Sequence, residues 1–166
     1  VPASATYEPI ATANGTGSSG TITFTSIPQT YTDLYLAGTF SGTAGGTLTV
    51  VLNNDTASNY SFTHLRGDGS FAYSNRNTNQ TAWNMSYSNS FGASPTYNAF
   101  LANFNNYSNT TTYKNMLARY NSIGVEVMAY MGLYRQTSAI TRLDVKATGT
   151  NFATGTTFTL YGIAAA

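Results

Sequence analysis

Val125-Glu126-Val127-Met128-Ala129-Tyr130-Met131-Gly132-Leu133-Tyr134 is where a helix competes most closely with a strand. Met116-Leu117 and the pair Met128 and Met131 are the features that suit a helix. Val125, Val127, Ala129 and Met131 decide against it, because they fall on every second position. That repeat belongs to a strand, and no capped apolar stripe of 3.6-residue period runs through the segment. The same period-two signal recurs on both sides. Thr21-Ile22-Thr23-Phe24-Thr25-Ser26-Ile27 alternates hydroxyl with apolar, as do Tyr60-Ser61-Phe62-Thr63-His64-Leu65 and Thr156-Thr157-Phe158-Thr159-Leu160-Tyr161. Leu34-Tyr35-Leu36-Ala37, Leu48-Thr49-Val50-Val51-Leu52, Trp83-Asn84-Met85-Ser86-Tyr87, Phe100-Leu101-Ala102-Asn103-Phe104, the run 113–120 and Ile140-Thr141-Arg142-Leu143-Asp144-Val145 complete the series. Gly45-Gly46, Asn53-Asn54-Asp55, Gly67-Asp68-Gly69 and the polar stretches 74–80 and 105–110 read as the turns and loops between them.

About nine to eleven strands at such spacing, with little helix, predict an all-β chain: a single-domain antiparallel β-sandwich, jelly-roll-like, covering residues 1–166. Residues 1–20 read as an N-terminal arm followed by a flexible loop, with a short strand over 6–11. An arm reaching a neighbour and an ordinary edge strand of the same sandwich fit that segment equally well.

Composition limits what such a sandwich can do. Charged residues make up 8% of the chain and the net charge is +1, against about 25% charged in an ordinary globular protein. There are too few cations to track a phosphate backbone, so nucleic acid is not an expected partner. No apolar run approaches the ~18–20 residues of a membrane span, so insertion is not expected either. Hydrophobic residues at 42% and aromatics at 14% are ample for a core. Cysteine is absent, which removes disulfides, thiolate nucleophiles and thiolate metal sites. The opening Val1-Pro2-Ala3-Ser4-Ala5 lacks the cationic-then-apolar pattern of a secretory signal.

Reactive chemistry has few residues to work with. His64 is the sole histidine and lies inside an alternating run, where it reads as a strand residue. A serine triad would have to use it. Six acids, Glu8, Asp33, Asp55, Asp68, Glu126 and Asp144, are scattered too thinly to suggest a glycosidase pair. No phosphate cradle or metal-ligand spacing is present, so no cofactor is expected and the chain reads as a non-enzyme. Arg66-Gly67-Asp68 spells a cell-adhesion tripeptide but reads as a tight turn. Trp83 and Tyr87 can stack on a sugar ring or pack at an interface. Tyr7 and Ile10, in the leading segment, are candidate interface residues.

Tyr7-Glu8-Pro9-Ile10-Ala11-Thr12 and Ile27-Pro28-Gln29-Thr30-Tyr31-Thr32-Asp33-Leu34 resemble a group of small virion proteins of tailed phages, especially phages of aquatic bacteria. The similarity continues in Ser58-Asn59-Tyr60-Ser61, in Asn103-Phe104-Asn105-Asn106-Tyr107-Ser108, and in Phe158-Thr159-Leu160-Tyr161-Gly162-Ile163. The resemblance implies a structural part of a virion, assembled in the cytoplasm of a bacterial host. The role implied first is a capsid decoration (cement) protein, a homotrimer bound to the major capsid protein. The alternative is a tail fibre or spike component, or a carbohydrate-binding module, that meets a surface glycan. Its partners would then be tail proteins of the same phage.

Overall fold

The structure is a computed structural model that describes residues 6–85 and 91–164. Twelve strands form within them, somewhat more than the sequence predicts. They are β1 (Tyr7–Asn14), β2 (Thr21–Phe24), β3 (Asp33–Phe40), β4 (Thr47–Leu52), β5 (Tyr60–Gly67), β6 (Ala72–Gln80), β7 (Trp83–Asn84), β8 (Asn98–Phe104), β9 (Lys114–Ser122), β10 (Glu126–Tyr134), β11 (Leu143–Thr148) and β12 (Thr157–Ile163). The larger sheet has the order β1-β12-β3-β8-β9-β10-β5-β6 and the smaller β2-β11-β4-β7. Every strand pairing is antiparallel.

Setting aside β1, β9, β10 and β12 leaves two four-stranded sheets, β2-β11-β4-β7 and β3-β8-β5-β6. The chain alternates between them from β2 to β5, stays in the larger sheet for β6, then alternates again from β7 to β11. That is jelly-roll connectivity. Two additions distinguish this chain. The β9–β10 hairpin is inserted between β8 and β5, and the two terminal strands extend the β3 edge.

The core lies between the sheets and is aromatic. Phe40 packs against Phe91, Phe152 and Phe158 with ring centroids 5.2–6.3 Å apart. Tyr60 meets Trp83 at 5.5 Å and Tyr134 at 4.8 Å. Turns follow from local chemistry. Asn53 and Asn54 both take positive φ (51° and 55°), a conformation asparagine tolerates, and Asp55 N–H closes the turn on the Leu52 carbonyl. Asn53 then ties this corner to the loop before β11, donating to Ala139 O and accepting from Thr141 N–H.

Two expectations need correction. Residues 74–80, read as a loop, belong to strand β6. They carry no apolar face because β6 is an edge strand beyond the cover of the smaller sheet, and most of its side chains meet water. The leading strand runs on to Asn14, and over residues 7–14 it is an edge strand paired with β12 of the same chain. Its backbone is therefore not a free arm there.

Candidate functional site

Alternation sorts each strand into an inward and an outward face, and the two sheets use their outward faces differently. The smaller sheet turns Thr21, Thr23, Thr49, Lys146 and Thr148 outward, the ordinary apolar-in, polar-out arrangement. In the larger sheet, β10 buries Glu126, Met128, Tyr130, Gly132 and Tyr134 and exposes Val127, Ala129, Met131 and Leu133. The stretch is a strand, as its spacing predicts, yet the aliphatic residues that reveal it face away from the core.

Register carries this apolar surface across the neighbours. One row places Leu65, Ala129, Arg119 and Leu101 side by side on β5, β10, β9 and β8. The next places Thr63, Met131, Leu117 and Asn103 there, and it continues to Tyr35 and Tyr161. Leu65, Leu101, Leu117, Val127, Met131 and Leu133 are 37–63% exposed. Together they present roughly 600 Å² of residue surface, the upper end of the 300–600 Å² expected for the largest patch on a monomer. The face is concave. A groove of about 860 Å³ is lined by Leu65, Tyr73, Leu101, Val127 and Ala129, with Arg119 among them. A smaller hollow of about 420 Å³ adjoins it, lined by Tyr35, Leu117, Leu101 and Arg119.

The sequence-chosen residues divide. Tyr7 is half exposed and reaches this outward face, edge-on to Tyr35 (5.6 Å) and Tyr161 (6.4 Å). Ile10 is partly buried against the core. Trp83 is wholly buried, its Nε1–H donating to the Ser61 and Leu133 carbonyls at 3.2 and 3.3 Å. Its ring therefore packs the core and is not presented to a sugar or a partner. Tyr87 lies outside the described residues. The aliphatic face itself was missed. Its signal is present in the sequence as Val125, Val127, Ala129, Met131 and Leu133, but periodicity does not say which side of a strand is inside.

The remaining reactive groups are dispersed. His64 is buried on the inward face beside Phe62 (6.1 Å) and Tyr130 (6.2 Å), which stack on each other at 5.0 Å, and neither of its ring nitrogens has a partner. Burial, and then the charge of Arg66, lower its pKa against an opposing pull from Glu126. Ser122 pairs with Glu126 at the hairpin end of β9–β10, while His64 lies opposite Tyr130. Four residues of strand, roughly 13 Å, separate those two rows, so they make no triad. Arg66 pairs with Glu126 at 2.8 Å and lies over the Tyr73 ring, and Asp68 accepts from the Ser70 and Phe71 N–H groups. The Arg-Gly-Asp run is thus tied into its own hairpin. Among the described residues no group of three acids or histidines is placed to hold a metal.

No family model matches the chain, and no curated protein matches it significantly.

Proposed function

We propose that this chain is a structural protein of a tailed-phage virion, a decoration protein that strengthens the head shell through non-covalent contacts of its β-faces. The observation that carries the reading is the aliphatic outward face of the larger sheet, a patch at the upper end of what a monomer exposes and of the kind that marks an interaction surface. Jelly rolls serve both capsid and lectin proteins, so the fold alone favours neither. The magnitude of the contact fits a repeated one. About 500 Å² of apolar area at ~25 cal/mol per Å² yields about 12 kcal/mol before association costs of ~4–15 kcal/mol. A single contact of that size is modest. A trimer clamping several shell subunits at once multiplies it through effective concentration. A non-catalytic role agrees with the dispersal of His64, Ser122 and Glu126.

Electron microscopy of intact particles is the direct test, with ordered knobs on the head expected. Particles lacking the protein should lose heat and osmotic stability while still adsorbing normally. Density at the tail tip, with adsorption lost, would replace this reading with a host-contact role. The exposed Tyr7 beside Tyr35 and Tyr161 is the observation that favours that second reading. Glycan binding abolished by Tyr7→Ala would establish it.

A further inference from the structure

We infer that the groove on the outer face receives an apolar surface of a different protein that presents a carboxylate to Arg119, and not a second copy of this chain. Hydrophobicity marks the face as an interface, but charge decides its occupant. The outward side chains of β8, β9, β10, β5 and β6 include two cations, Arg119 and Arg76, and no acid. Both are exposed, and neither is in an ion pair among the described residues. Arg119 lines both the groove and the adjoining hollow, at the middle of the aliphatic area.

A second copy offers no carboxylate from the outward faces of these five strands; Asp33, outward on β3, and its other acidic side chains already accept hydrogen bonds or ion pairs. Glu126 is held by Arg66 and Asp144 by Arg142, both buried. Asp55 accepts from Asn59, Ala57 N–H and Tyr134. Glu8 accepts from Tyr31, and Asp33 from Asn106 N–H. Asp68 is exposed but already caps its own turn. Sheet-to-sheet pairing about a two-fold axis through this face would also set Arg119 near its own symmetry mate. Like charges in a desolvated interface disfavour that arrangement, whereas a partner carboxylate would meet an uncommitted guanidinium. A homotrimer that used this face would have to set it against a different patch of the neighbour, because three-fold contacts are heterologous.

This inference rests on the virion reading, which names the shell protein as the occupant. The test is rebinding of purified protein to head particles of its phage that lack it, measured by co-sedimentation. Arg119→Glu and Val127→Thr are compared with wild type after circular dichroism has shown each to be folded. The expected result is a loss of affinity on the order of ten-fold or more for Arg119→Glu, with Arg119→Lys retaining most binding. Wild-type binding matched by Arg119→Glu would overturn the inference and leave the virion role standing. Failure of wild type to bind the particle at all would overturn both. Analytical ultracentrifugation supplies the other arm: a wild-type dimer or trimer converted to monomer by Val127→Thr would place a second copy in the groove and overturn the inference.

Discussion

The two faces of β10 invert the usual reading of an amphipathic strand. Inward lie Glu126, Met128, Tyr130, Gly132 and Tyr134; outward lie Val127, Ala129, Met131 and Leu133. The solvent side is the more uniformly aliphatic, while the core side mixes a carboxylate, aromatic rings and a glycine. Shape explains the inner set. Gly132 lies under the Trp83 indole, and a Cβ added there would fall 2.6 Å from the ring. No larger residue fits without displacing the tryptophan that bridges β5 and β10. The inner face is thus specified by fit and the outer face by hydrophobicity alone, so the two should respond oppositely to substitution.

The largest effect belongs to the inner face. Trp83→Ala empties the space over Gly132 and removes two hydrogen bonds, and it should cost about 3–5 kcal/mol in urea denaturation. A loss under about 1 kcal/mol would mean that the indole is not the element joining the inserted hairpin to the core.

Much of this architecture is legible in the sequence because strand alternation is a local property. Thr21-Ile22-Thr23-Phe24 and Leu48-Thr49-Val50 announce both the strand and its buried side. The sheet order is not local: nothing in residues 114–134 says that the hairpin enters between β8 and β5, since register is set by distant partners. Edge strand β6 escapes detection because Asn75, Asn77 and Thr78 lack an apolar partner set. The candidate site is harder still. On β10 both faces read as apolar, and only burial of Tyr130 and Tyr134 by the second sheet shows which is which. Trp83 looks like a sugar platform until the larger sheet covers it.

A smaller effect, of opposite sign, is expected in the row of Tyr130. His64 is buried without a partner for either nitrogen, and its lowered pKa means that the folded state favours the neutral ring. The unfolded chain binds the proton more readily, so stability is complete above about pH 6.5 and declines as pH falls below it. His64→Phe keeps the stack with Phe62 and Tyr130 and deletes the unsatisfied nitrogens. It should stabilise the protein by about 1 kcal/mol at neutral pH. It should also abolish the part of the decline that precedes carboxylate protonation, as read from thermal midpoints between pH 7 and 5. An unchanged pH profile would show that the ring finds water or a partner in solution.

The smallest effect on folding is the sharpest test of the contrast. Val127→Thr exchanges a methyl for a hydroxyl at a site that is 63% exposed, on a strand whose backbone bonds it leaves intact. Threonine has the same branching and comparable strand preference, so the change in stability should stay within about 0.5 kcal/mol. Leu117→Thr, one strand away, should behave alike. Their effect should appear in solution behaviour instead, as weaker rebinding to head particles and weaker binding of an apolar dye. If either substitution cost as much as 2 kcal/mol, the outer face would be part of the folding core. The aliphatic residues would then be explained by stability, and the case for a docking surface would lose its footing. A neutral result locates the selective use of Val127 and Leu117 outside folding, which is what a face reserved for a partner requires.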